Sequence, residues 1–171
     1  MPAKQMDKFS NLMYGTVTES AASTLTFAEI NTNVSVWEKR AFVLHRLEWN
    51  IAPAFLTTNI LDGGDIIDLA LTNSQQITSL TPDNPAVIDR MTVGLKYASA
   101  VGGELVVQPW HRDFTGLPGG GLLIAPRPLF LAVKCTNIAN ACTVTLRARF
   151  TVIELTADEY LELVDFYRIV S

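Results

Sequence analysis

The chain has 171 residues, of which 49% are apolar and 18% charged, and a net charge of −4. That length suits one domain whose core needs no disulfide or metal staples, and the charge balance argues against a nucleic-acid binder built on a basic stripe or tail. No apolar run reaches the roughly 18 residues of a membrane-spanning helix, so the apolar surplus belongs to a core, to subunit interfaces, or to both.

Residues 1–11 read as a loose lead-in. They carry only Lys4 and Lys8 around Asp7, which is no polybasic arm, and they lack the apolar core of a secretory signal. The expectation is a chain made and kept in the cytoplasm. Leu12–Glu19 and Thr24–Asn31 are rich in β-formers and read as strands joined by a turn at Ser20–Ser23. Asn31–Asn33 is a turn signal, and Val34–Trp37 begins a further short strand. Ala41–Ala52 is a long strand in which Phe42, Leu44, Leu47, Trp49 and Ile51 are interleaved with His45, Arg46, Glu48 and Asn50. Neither of its faces is purely apolar, and Pro53 ends it.

After a turn at Asp62–Asp65, Ile66–Thr72 reads as a strand buried on both faces. Asn73–Thr81 is a polar surface connection. Asn84-Pro85 resembles an N-cap followed by proline at the first helical position, so Val87, Ile88 and Met91 predict a short inserted helix before a strand at Thr92–Ala98. Glu104–Val107 is a strand, Trp110–Gly121 a loop, and Leu122–Ala125 a short strand. Leu129–Lys134 and Thr143–Ile153 are expected to pair as a hairpin across Thr136–Ala141. Val144, Leu146, Ala148, Phe150 and Val152 point one way and Thr143, Thr145, Arg147, Arg149 and Thr151 the other, a period of two that marks a strand with one buried face. Thr156 then reads as an N-cap with Glu159 closing a capping box, and Tyr160, Leu163, Val164 and Tyr167 follow at helical spacing. The fold class is all-β, an antiparallel sandwich or barrel forming one domain over 12–171, with the inserted helix and a short C-terminal helix.

The residues carry no enzymatic signature. His45 lies in a strand without a nucleophile or an orienting carboxylate, which reads as an ordinary strand histidine. Asp62, Asp65 and Asp68 lack the ligand spacing of a calcium loop, and Gly119–Gly121 lacks the Lys-Ser/Thr of a phosphate-binding loop, so they read as turn carboxylates and a flexible loop tip. Free thiols are the better reading of Cys135 and Cys142, with a bond between them left open; no zinc spacing accompanies them. Two positions invite a binding reading. Trp110-His111-Arg112 is a loop cluster of hot-spot residue types, and Arg147 and Arg149 share one strand face, offering a subunit contact or a weak contact to anionic lipid or nucleic acid.

The strand pattern, with Ala41–Asn50, Asn84–Met91 and the terminal Val152-Ile-Glu-Leu-Thr-Ala-Asp-Glu-Tyr160 stretch, resembles a single jelly-roll viral capsid protein from Leu12 to Ile153. The resemblance implies a jelly-roll sandwich and a structural, non-enzymatic virion protein without cofactor or metal. Its partners would be copies of itself in an icosahedral shell around the genome, assembled in the host cytoplasm, and other virion proteins. The subunit contacts it points to are Trp37, Trp110, His111, Arg112, Phe114, Leu117 and Leu122. The chain departs from many such proteins in lacking a basic arm, which argues against tight genome binding by this subunit. Two alternatives stand beside it. One is a strand-exchanging fibre or sheath subunit, and the other a carbohydrate-binding β-sandwich using Trp110 as its platform.

Overall fold

A computed structural model of the chain describes residues 4–5, 10–32, 39–52, 65–95 and 110–170. These residues form β1 (Lys4–Gln5), β2 (Asn11–Thr18), β3 (Thr26–Ile30), β4 (Arg40–Ile51), β5 (Asp65–Thr72), β6 (Val87–Leu95), β7 (Trp110–Asp113), β8 (Leu122–Ile124), β9 (Leu129–Thr136), β10 (Thr143–Glu154) and one helix, α1 (Ala157–Val170). The strands make two antiparallel sheets. In one, β10 and β4 are central, with β1 and β2 on the outer side of β10 and β7 and β8 on the outer side of β4. In the other the order is β3-β9-β5-β6. The pairings nest: β2 with β10, β3 with β9, β4 with β7 and β8, and β5 with β6.

The alternation expected of β10 is what places it centrally. Val144, Leu146, Ala148 and Phe150 are buried, and they meet Met13 and Val17 of β2, Phe42, Leu44, Leu47, Trp49 and Ile51 of β4, and the inward side chains of β5 and β9 in one core. Ala70 and Ala132 lie on the opposite face of the second sheet. There Leu80 and Ile77 cover them, so the Asn73–Thr81 connection, mainly polar in composition, packs its two large apolar residues onto that sheet.

The inserted helix is absent: Val87 begins β6. Asn84 does provide cap-like chemistry, because its Oδ1 accepts the Ala86 N–H at 3.0 Å, but its carbonyl accepts from Val87 N in a turn and the chain then pairs with β5. The apparent helical spacing of Val87, Ile88 and Met91 has another cause. Thr72 pairs with Val87 and Leu71 with Asp89, so Ile88 is an extra residue at a bulge. β4 has the same device. Phe150 pairs with Leu44 and Arg149 with Arg46, leaving His45 extra, so Leu44 and Leu47 are both buried although three residues apart.

Two further expectations change. Trp110–Asp113 is not loop but a short edge strand on β4. β9 and β10 do not form a hairpin; they lie in different sheets, and residues 137–142 cross between them. Glu19 explains the crossing. Its carboxylate accepts the Cys135 N–H at 2.8 Å and the Cys142 N–H at 3.0 Å, amides at the end of β9 and just before β10. Ile138 between them is buried in the core. Asn137, at φ 63°, turns the chain and donates to Asp65. Both cysteines are buried and free. Val34–Trp37, Glu104–Val107 and the contact candidate Trp37 lie outside the described residues.

Candidate interaction face

The outward surface of the first sheet gathers most of the charged chemistry. Register sets Tyr14, Arg147, Glu48 and His111 in one row across β2, β10, β4 and β7, with Leu12, Arg149, Arg46 and Asp113 in the next. Cross-strand neighbours on one face stand about 5 Å apart, close enough for side chains to interact along each row.

Glu48 is the centre of this face. It is only 6% exposed, because three arginines cover it. Arg147 donates from Nε at 2.6 Å and from a terminal nitrogen to Oε2. Arg46 Nε lies 3.1 Å from Oε1, and an Arg149 terminal nitrogen 4.0 Å from it. A carboxylate taken from water needs such partners, and arginine supplies them while staying charged. Three arginines against Glu48 and Asp113, the latter beside Arg46, leave this face one positive charge in excess, on a chain whose net charge is −4. At the row's end Asp113 Oδ1 accepts from the hydroxyl and the N–H of Thr115, which hold its carboxyl below the usual range. Leu12 and Tyr14 are exposed beside the arginines, Tyr14 by 64%.

A second polar contact closes one open edge of the sandwich. Register puts Asp89 and Arg112 on the inward faces of β6 and β7. Arg112 Nε approaches Asp89 Oδ1 at 3.3 Å, and a terminal nitrogen donates to the carbonyl of Arg90 at 3.3 Å. Burial raises the Asp89 carboxyl above its usual value, against the opposing pull of Arg112. On the outside of the second sheet, Asp68 takes bonds from Arg90 and Thr92, and among the described residues no three His, Cys, Asp or Glu side chains converge as metal ligands do.

The remaining contact candidates divide by burial. Trp110, Phe114 and Leu122 pack against the core margin, whereas His111, Arg112 and Leu117 are exposed. Arg147 and Arg149 share the outward face, as the alternation implied. Arg46, Glu48, Leu12 and Tyr14 did not stand out in the sequence, because only the register of β10 with β4 and β2 brings them beside those arginines.

The 114–121 loop contains two successive turns, Leu117 N–H donating to the Phe114 carbonyl at 3.0 Å and Gly120 N–H to the Leu117 carbonyl at 2.9 Å. The His45 ring and carbonyl hold it to β4, with Nδ1 2.9 Å from the Gly120 carbonyl oxygen and the Phe114 N–H donating to the His45 carbonyl at 2.8 Å. Gly119 and Gly120 adopt φ of 86° and 78°, which side-chain-bearing residues rarely take. No protein-family model matches the chain, and no curated protein sequence matches it.

Proposed function

We propose that this chain is a structural virion protein, a capsid subunit that assembles with copies of itself into an icosahedral shell around a viral genome. The observation that carries the reading is the nested strand pairing. With β7 and β8 taken as one strand interrupted by the 114–121 loop, β2 to β10 give two four-stranded sheets, β2-β10-β4-β7/β8 and β3-β9-β5-β6. First pairs with last, second with second-to-last, down to the β5–β6 pair. This is the path of a long antiparallel ribbon rolled over itself, and it supports a jelly roll, an architecture common in capsid and lectin domains.

The surface supports a subunit role. Leu12, Tyr14, Leu117, Leu123 and Leu161 are large apolar side chains left exposed, and no described side chain of α1 joins either core cluster. In a shell, several interfaces of about 1,600 Å² per subunit would combine modest contacts into a stable whole.

Light scattering and negative-stain microscopy of the purified chain test this across salt and pH. Uniform closed shells, or pentamers and trimers that close into them, are expected. A monomer or dimer that persists at high concentration would overturn the reading. Filaments would replace it with strand exchange.

A further inference from the structure

We infer that the exposed stripe of α1 from one copy docks on the arginine face of the first sheet of a second copy. The contact deepens the self-assembly reading and rests on it in part. The helix and the sheet face are complementary halves carried by one chain.

The helix half is Asp158, Leu161, Glu162 and Asp165. These four are exposed, whereas Glu159, Tyr160, Leu163 and Val164 on the other side are half-buried. Residues three and four apart share a helix face, so Leu161, 58% exposed, sits among three carboxylates. The base of the helix is fixed: Leu155 is buried and its N–H donates to the Lys39 carbonyl at 2.8 Å. Beyond that base, none of the described side chains of α1 belongs to either core cluster.

The sheet half is the pair of outward columns Leu12–Tyr14 on β2 and Arg149–Arg147 on β10, backed by Arg46. Along a strand, alternate residues repeat every ~6.6 Å and neighbouring strands lie about 4.8 Å apart. Along a helix, residues four apart repeat every ~6 Å. Asp158 and Glu162 therefore match Arg147 and Arg149 in spacing, and Leu161 falls over the adjacent Leu12–Tyr14 column. Three carboxylates meet the three arginines around Glu48, whose face is net positive even with Asp113 beside Arg46. Arg149 has the most to gain, because among the described residues its nearest carboxylate oxygen, on Glu48, is 4.0 Å away. Such a contact joins different surfaces of the two copies, so it propagates from subunit to subunit and closes into rings when the rotation allows.

Two single variants, Tyr14→Cys and Leu161→Cys, test the contact with a short bismaleimide cross-linker; Cys135 and Cys142 are buried and serve as the unreactive background. Mixing the two variants should give a cross-linked dimer that neither gives alone. Adding Glu162→Lys and Asp165→Lys to the Leu161→Cys chain should reduce the yield at least tenfold, as should about 1 M salt, where screening acts over about 3 Å. Arg149→Glu on the Tyr14→Cys chain should restore the yield with the lysine variant. No dimer in the mixture, a dimer indifferent to charge reversal, or a link formed only within one chain carrying both cysteines would overturn the proposal. Particle size of the unmodified chain reports separately on the shell: shells without the cross-link refute this contact alone, and a cross-link in chains that never form shells refutes the shell alone.

Discussion

His45 Nδ1 lies 2.9 Å from the carbonyl oxygen of Gly120, and this contact joins the bulge of β4 to the loop between β7 and β8. A carbonyl only accepts, so Nδ1 carries the proton, and in the neutral ring Nε2 is the acceptor for the Thr151 hydroxyl at 3.0 Å. One ring thus ties together β4, β10 and the loop. Gly121 completes the fit, because a Cβ there would stand 2.5 Å from Val43 Cγ1 and 2.7 Å from the Leu44 carbonyl.

His45→Ala removes both bonds and leaves the buried Thr151 hydroxyl without this partner. The expected loss is about 1–3 kcal/mol. Gly121→Ala overpacks the same junction through backbone that cannot move aside, with a similar expected loss of about 1–3 kcal/mol. Urea unfolding of each variant measures both. Wild-type midpoints would show that the loop does not brace the bulge.

Glu19→Ala leaves the Cys135 and Cys142 amides unpaired where the chain crosses between sheets. Each orphaned buried N–H costs about 1–3 kcal/mol, so a loss of about 2–6 kcal/mol is expected in urea unfolding. Glu19→Gln keeps one acceptor oxygen and should recover part of it. Equal losses in the two variants would mean that the amides do not depend on the carboxylate.

How much of this could be read in advance depended on range. β10 was legible because Val144 to Phe150 alternate without interruption, and the start of α1 because Thr156 and Glu159 cap each other within one turn. The bulges at His45 and Ile88 were not, since an extra residue converts a period of two into spacings that imitate a helix or a mixed face. The hairpin expected of β9 and β10 failed for a related reason: proximity in sequence does not say that Glu19, far upstream, takes the amides at both ends of their connection. The interaction face was half legible. Arg147 and Arg149 announce themselves on one strand, but Glu48 reaches them only through register.

Asp89 makes stability depend on pH in a specified direction. Its folded-state pKa is raised above 3.8 by desolvation, which outweighs Arg112. Its contribution is therefore fully present below that value and is lost as pH rises through the folded pKa. Asp89→Asn removes this term, and Arg112, 51% exposed, stays solvated without its partner. The melting temperature of the variant relative to wild type should rise between about pH 4 and about pH 7. A flat or falling difference would show that Arg112 compensates the buried charge in full.

The capping box gives a test that separates helix from sandwich. Glu159 Oε2 accepts from the Thr156 N–H and hydroxyl, both at 2.8 Å, and these bonds hold its carboxyl below 4.5, the backbone bond contributing most. Helix stabilisation from this group is thus present above 4.5 and lost as pH falls through the depressed value. Far-ultraviolet ellipticity of the wild type should show the helix fraying on acidification, while Glu159→Ala should be frayed already at neutral pH and respond less to acid. Because no described α1 side chain belongs to either core cluster, the sandwich should melt at an unchanged temperature in the variant. A coupled drop would mean that α1 braces its own sandwich, and the stripe around Leu161 would then be less free to engage a second copy.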